Sequence, residues 1–264
     1  MIDIHTHILP DCDDGSPDIE TSIKNLKMMQ DAGVTDVLLT PHFLRNLYHN
    51  SADIIENRFD LLQKTILKEN LTINPHKAAE VYLDSKIIAD IEKENLFIGN
   101  TKYILVETSM TIFPDDLLET LYHLVRKGYR PIMAHPERYN NVIRNIGVAE
   151  DLMFRNVYLQ LNAGSIIGNN GKQVQDTAWQ MLENGFAHFL ASDNHCHSEE
   201  YVLPKAIAEI NNEFDESLTT LLTEINPRKV LNNEKIDFFY MEKEERNYPE
   251  QLNIFEKLIK KIFK

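Results

Sequence analysis

Val125–Arg138, VRKGYRPIMAHPER, contains one full repeat of the pattern that organises the chain. A segment of helical period ends on Gly128, a short apolar run over Pro131–Ala134 follows, and the run stops on His135. Glycine at such a joint supplies a left-handed helix cap at little steric cost. The same joint recurs at Asp31-Ala32-Gly33 and at Glu183-Asn184-Gly185, each followed within a few residues by a β-type run. Working outward, strands are expected at Met1–His5, Val34–Thr40, part of Thr72–Val81, Tyr103–Glu107, Pro131–Ala134, Val157–Leu161 and His188–Ala191. Amphipathic helices are expected between them at Asp18–Asp31, Ser51–Glu69, Asp115–Lys127 and Lys172–Glu183. Strands alternating with helices through such joints predict a parallel sheet in a single α/β domain, closed into a barrel or left open.

The 264 residues carry a formal charge of −14, from 41 acidic against 27 basic side chains. That balance repels a phosphate backbone, so no nucleic-acid partner is expected. Cys12 and Cys196 are the only cysteines; neither sits in a C-x-x-C pair, and a reducing cytoplasm is the expected compartment. Met1-Ile2-Asp3-Ile4-His5 has acid and imidazole where a secretory signal needs a basic patch and an apolar run. No run of 18 apolar residues occurs to span a bilayer. Beyond Asp237 the pattern changes to a polar run at Met241–Arg246 and a last helix at Pro249–Lys264. Leu252, Phe255, Leu258, Ile259 and Ile262 share one face of it, and Lys257, Lys260, Lys261 and Lys264 crowd its end. Such a helix docks on the domain, its lysines favoured by the helix dipole, or makes peripheral contact with an anionic membrane.

The chemistry is concentrated at the strand ends. His5-Thr6-His7 closes the first strand, and alternate residues on a strand face one side, so both imidazoles can meet one cation if the backbone flattens there. Later ends read Thr40-Pro41-His42, Ala79-Glu80, Val106-Glu107-Thr108, Ala134-His135-Pro136-Glu137-Arg138 and Ser192-Asp193-Asn194-His195, and Asp14 lies in the first loop. A parallel sheet puts all those ends on one side, where α/β folds carry their active sites. Each residue alone has an ordinary explanation, such as a turn role for Asp14 before Gly15. Together, five of ten histidines and four carboxylates converge. Nine donors exceed the need of one tetrahedral zinc and match two or three ions bridged by carboxylates. Nitrogen and oxygen donors without thiolate suit Mn, Fe or Zn. A centre of this kind activates water and holds phosphoryl oxygens, so phosphoester hydrolysis is the expected reaction. Arg138 is the first candidate to orient the phosphate and Arg45 the second. His49, His76, His123, His188 and His197 are expected to be structural or solvated.

Taken together, H-T-H at 5–7, Asp14-Gly15, T-P-H at 40–42, Glu80, Glu107, H-P-E-R at 135–138 and S-D-N-H at 192–195 resemble the polymerase and histidinol phosphatase (PHP) superfamily. The match runs from Met1 to about His195. Within it, D-D-G, T-P-H followed by Tyr48 and Asn50, H-P-E-R-Y at 135–139, Leu159-Gln-Leu-Asn162 and Gly171-Lys-Gln-Val174 are similar to the CpsB/YwqE-type bacterial tyrosine-protein phosphatases of capsule and exopolysaccharide loci. The resemblance implies a distorted seven-stranded (β/α)7 barrel, TIM-barrel-like, over residues 1–240, followed by the C-terminal segment 241–264. It also implies two or three divalent metal ions, Mn first with Fe or Zn as alternatives. The implied substrate is a phosphotyrosine protein, the tail of a membrane-associated tyrosine kinase of polysaccharide export. Ligand roles carry over onto His5, His7, Asp14, His42, Glu80, Glu107, His135, Asp193 and His195, with Arg138 and His42 as catalytic candidates. A small-molecule phosphomonoesterase of the histidinol phosphatase kind and a non-catalytic regulator are the alternative readings.

One departure stands out. Relatives often carry a second arginine a few residues after the final D-x-H, whereas here Cys196–Leu203 has no lysine or arginine and the next basic residue is Lys205. Either another group, such as Arg45 or His197, is then expected to complete the phosphate clamp, or affinity for phosphotyrosine is expected to be reduced. A cysteine-dependent phosphatase is excluded, because C-x5-R is needed to hold phosphate over the thiolate, and the sixth residues after Cys12 and Cys196 are Asp18 and Val202.

Overall fold

The computed structural model describes residues 1–84 and 86–238. The expected helix at Pro249–Lys264, and with it the expected membrane contact, lies outside the described residues. Among the described residues nine strands are present: β1 Ile2–Thr6, β2 Asp36–Leu39, β3 His42–Phe43, β4 Asn74–Lys77, β5 Glu80–Tyr82, β6 Tyr103–Glu107, β7 Arg130–Ala134, β8 Tyr158–Asn162 and β9 Phe189–Ala191. They form two sheets, in the orders β1-β2-β4 and β3-β5-β6-β7-β8-β9, and every pairing between them is parallel. The expected α/β class with parallel strands holds, while the expected count of seven becomes nine strands in two sheets.

The extra strands arise where two expected runs are interrupted. Thr40-Pro41 parts β2 from β3, and proline has no N–H to give to a ladder. Ala78-Ala79 parts β4 from β5. Contact continues across both breaks, since Ala78 N donates to Leu39 O at 3.0 Å and Glu80 N to Pro41 O at 3.1 Å. At the far edge, Asp193 N donates to His5 O (3.0 Å) and His7 N to Asn194 O (2.9 Å), which ties the end of β9 to β1.

Neighbours in register share a face of a parallel sheet. Glu80 stands beside Leu105, Leu105 beside Ile132, Ile132 beside Tyr158, Ala134 beside Gln160, and Asn162 beside Ala191. That face carries an apolar tier of Tyr103, Leu105, Ile132, Ala134, Tyr158 and Phe189. Toward the strand C-termini it is topped by a polar tier of Glu80, Glu107, Gln160 and Asn162, all buried. The segment after residue 225 packs Val230 and Ile236 into the apolar tier. There Tyr103 donates its hydroxyl to Glu234 O and Tyr158 to Ile236 O, at 2.6 and 2.8 Å. The opposite face, with Ile104, Val106, Met133, Leu159 and Leu161, packs against the helices through Leu121, Leu124, Met181 and Leu182.

Helices span Ile19–Asp31, Ala52–Lys68, Leu117–Arg126 and Lys172–Glu183, close to the expected ranges. Asp18 caps the first, its Oδ1 accepting from Thr21 N at 2.8 Å. Gly128, at φ +85°, closes the helix before β7 in the left-handed conformation that its joint implied. Among the described residues no helix is long and apolar enough to cross a membrane.

Candidate metal centre

Between Asp3 and Thr6 the chain of β1 advances three residues while β2 advances two, from Val37 to Leu39. Such a bulge re-aims side chains. Ile2 and Ile4 lie in the apolar tier, and His5 and His7 both reach the polar one, each fully buried. Their Nε2 atoms face each other at 3.1 Å. Glu80 Oε2 lies 3.2 and 3.3 Å from those two nitrogens, and Asp193 Oδ1 lies 3.3 Å from each. Glu80 Oε2 and Asp193 Oδ1 are buried without a hydrogen-bond partner. Four donor atoms converging on one point, two of them carboxylate oxygens buried without a hydrogen-bond partner, is an arrangement that a divalent cation would satisfy.

The remaining expected donors extend this point into three groups. His7, Asp14, His42 and His195 form one, His5, His7 and Asp193 a second, and His42, Glu80 and Glu107 a third, the donor atoms in each lying within 4.8 Å of one another. His7 and His42 are each shared between two groups. His42 Nδ1 lies 3.1 Å from Glu80 and 3.0 Å from Glu107, while its Nε2 faces Asp14 at 3.6 Å. His195 stacks on His7 with centroids 3.9 Å apart. His135 stands outside the three groups, its Nε2 2.9 Å from Glu80 Oε1. His135 and Asp193 both have positive φ, 38° and 53°, a strained setting for non-glycine residues that collects at functional sites.

The field of the pocket favours positive charge. Burial alone would depress His5, but Glu80 and Asp193 beside it overcome that and hold its pKa up to about 9. Burial would raise Glu80, and His5 and His135 instead keep it well below the usual carboxylate range. The carboxylates that stabilise a proton on His5 in this way favour a divalent ion by the same electrostatics.

A second set of residues, which the strand-end pattern did not single out, orients these donors. His7 Nδ1–H donates to Asp13 Oδ2 at 2.7 Å, and the same oxygen accepts from His42 N at 2.9 Å. His5 Nδ1–H donates to Gln160 Oε1 at 2.8 Å. Gln160 Nε2 donates to Asn162 Oδ1, and Asn162 Nδ2 donates to Asp193 Oδ2 at 2.6 Å. Both imidazoles are thereby fixed in the tautomer that turns Nε2 toward the pocket. Two residues apart on β8, Gln160 and Asn162 carry the same alternation signal that makes His5 and His7 visible.

Of the two arginines, Arg138 is at the pocket. Its Nη1 donates to Asp193 Oδ2 at 3.1 Å, and the side chain is one-third exposed. Arg45 is engaged elsewhere: its guanidinium lies 2.7 Å from Asp90, faces Asp84 and donates to Lys86 O. The acidic stretch beginning at Asp84 draws it away from the strand ends. Neither cysteine is activated, since burial and then Asp13 push the Cys12 thiol up to about 12, and burial pushes Cys196 to about 12.

Comparison with known proteins gives a consistent set of relatives. The family model for capsular polysaccharide synthesis, CpsB/CapC, matches residues 1–232. The tyrosine-protein phosphatase YwqE of Bacillus subtilis (strain 168) is 32% identical over 238 residues, covering 89% of this chain and 93% of that protein. The tyrosine-protein phosphatase CpsB of Streptococcus pneumoniae is 28% identical over 241 residues, 88% of this chain and 98% of that protein. Among solved structures, those of YwqE from B. subtilis and CpsB from S. pneumoniae, described as metal-dependent tyrosine phosphatases, include a chain that superposes with a TM-score of 0.84 at 31% identity. It covers 90% of this chain and 96% of its own length. A histidinol phosphate phosphatase from Lactococcus lactis shares the fold, with a TM-score of 0.53 at 13% identity over 80% of this chain and 92% of that one.

Proposed function

Because the chain belongs to the CpsB/CapC family of capsular polysaccharide synthesis, we propose that it is a metal-dependent protein-tyrosine phosphatase of that family. The observation that carries this reading is the convergence of His5, His7, Glu80 and Asp193 on one point, with a buried oxygen of each carboxylate left without a partner. In this reading the two sheets act as one distorted barrel of seven strand positions, β2 with β3 and β4 with β5 each filling one. His5, His7, Asp14, His42, Glu80, Glu107, His135, Asp193 and His195 hold two or three ions, with Mn the preferred metal and Fe or Zn the alternatives.

Divalent ions bound there supply Lewis acidity to water and to the phosphoryl oxygens. The protein does the positioning. Asp13 and Gln160 hold His7 and His5 in one tautomer, and Asn162 and Arg138 hold Asp193. In this reading the N–H groups of Arg138 not used on Asp193 hold the phosphate. Water attacks phosphorus, the tyrosyl oxygen departs, and phosphate and a tyrosine hydroxyl result. A phenol, which ordinarily ionises at a pKa of about 10, leaves more readily than an alkyl alcohol, so a dedicated general acid is not required. The natural substrate in this reading is the phosphorylated tail of a membrane-associated tyrosine kinase of polysaccharide export, met in the cytoplasm.

The deciding experiment combines metal analysis after mild purification with hydrolysis of p-nitrophenyl phosphate and a phosphotyrosyl peptide under Mn, Fe and Zn. His42→Ala is expected to lose metal and at least about 100-fold in turnover. Turnover of small alcohol phosphates with none of the phosphotyrosyl peptide would overturn the substrate assignment, and bound metal without any hydrolysis would point to a regulator.

A further inference from the structure

A cavity of 520 Å³ opens beside Asp14, lined among others by Gly15, Thr21, Lys24, Cys196 and Glu199. One wall is the first turns of the helix Ile19–Asp31, and the other is the loop after His195. Across it Lys24 Nζ meets Glu199 Oε2 at 2.5 Å, with both side chains largely exposed. Lys24 is the only lysine or arginine among the described residues lining the cavity. The loop itself contributes none, since residues 196–204 contain neither lysine nor arginine. Asp13 and Asp14 also border the space: the Asp13 side chain is buried and bonded to His7, and Asp14, half-exposed, stands 3.6 and 3.7 Å from His42 and His195, among the donors that would hold a cation.

We propose that this cavity receives the peptide flanking the phosphotyrosine, and that Lys24 recognises a carboxylate side chain of that peptide in place of Glu199. The inference rests on the phosphotyrosine reading above. A substrate whose phosphate reaches the donors around Asp14 lies at the edge of the cavity, so the chain on one side of the phosphotyrosine enters it. An exposed ion pair contributes little stability, so exchanging one carboxylate for another on Lys24 is nearly free. The incoming carboxylate, tethered by the phosphate, has a high effective concentration there. Glu199 keeps Lys24 extended across the cavity until that exchange occurs. A small phosphomonoester reaches the donors and leaves the cavity empty.

The test uses the full chain loaded with Mn and three substrates: a phosphotyrosyl peptide with glutamates flanking the phosphotyrosine, the same peptide with glutamines, and p-nitrophenyl phosphate. For Lys24→Glu, KM for the glutamate peptide is expected to rise about two- to fivefold beyond any change on the other two substrates. Lys24→Arg is expected to keep the preference. Glu199→Gln is expected to lower KM for the glutamate peptide, because the competing carboxylate is gone. Raising ionic strength from roughly 50 to 500 mM is expected to erode the wild-type preference. Equal effects of Lys24→Glu on both peptides, or an unaltered peptide ratio in Glu199→Gln, would overturn the subsite. Failure to hydrolyse any of the three substrates would overturn the phosphatase reading itself, and the subsite with it.

Discussion

Asp13 Oδ2 accepts two hydrogen bonds at once, from the ring of His7 at 2.7 Å and from the backbone of His42 at 2.9 Å, so one buried carboxylate sets the geometry of two donor strands. Burial alone would raise its pKa, yet the bond to His7 lowers it to about 2. Asp13→Asn keeps an acceptor oxygen but removes the charge that makes His7 a stronger donor of electrons to a cation. The expected outcome is metal binding about 10 to 100-fold weaker, together with a lower thermal midpoint when both proteins are stripped of metal, because the buried pair with His7 is lost. Competition against a chromogenic chelator measures it, and affinity within twofold of wild type would remove Asp13 from this role.

How much of this is legible in the sequence depends on the range of the forces involved. Local signals place the helices and the glycine joints, because caps and periodicity act within a few residues. The expected donor residues lie together on one side because parallel strands end there, and eight of the nine fall into the three groups. What escapes is set by contacts distant in sequence. The bulge that turns both His5 and His7 inward exists only in the pairing of β1 with β2. Asp13 has no signal of its own beside Asp14, because adjacent aspartates in a loop cannot be ranked until His7 lies against one of them. Arg45, three residues after His42, is a natural candidate in sequence; Asp90, 45 positions away, decides where it points.

Gly15 is required by space. A Cβ built on it would lie 2.0 Å from His7 O and 2.4 Å from His7 Cβ, closer than any contact the backbone tolerates. Gly15→Ala must therefore displace the loop that carries Asp13 and Asp14. A loss of about 1 to 3 kcal/mol in stability is expected, together with weakened metal binding. Gly128→Ala is the comparison: its Cβ meets nothing within 4 Å, and only its φ of +85° resists substitution. It is expected to cost stability by about 1 kcal/mol and to leave metal affinity at the wild-type value. Isothermal titration alongside urea unfolding separates the two, and equal metal affinity in both variants would contradict the steric account.

Gln160 tests the second tautomer lock. Gln160→Leu removes the acceptor of the His5 Nδ1–H and leaves a buried donor unpaired, at a cost of about 1 to 3 kcal/mol. His5 is then free to turn its protonated nitrogen toward the pocket. Metal stoichiometry is expected to fall by one ion while hydrolysis drops. Gln160→Glu keeps an oxygen against His5 and is expected to retain the ion, which elemental analysis of the two purified variants would distinguish.

His188 lies far from this chemistry and gives a pH dependence of its own. It is buried against Tyr158, Phe189 and Phe238, its Nδ1 accepts from Leu159 N at 3.2 Å, and burial pushes its pKa down to about 3. The unfolded chain binds a proton on this imidazole near pH 6.5, and the folded one does not until about pH 3. The stability that this difference confers is complete above pH 6.5 and is lost as pH falls toward 3, at about 1.4 kcal/mol per pH unit. His188→Asn keeps an acceptor for Leu159 N and has no proton to gain. At pH 7 the variant is expected to be the less stable, through lost packing. Between pH 6.5 and 5 the gap is expected to narrow by roughly 2 kcal/mol, because only the wild type loses this contribution. Urea unfolding of both proteins across that range cancels every carboxylate they share. Parallel stability profiles would mean that the folded protein protonates His188 as readily as the unfolded chain does.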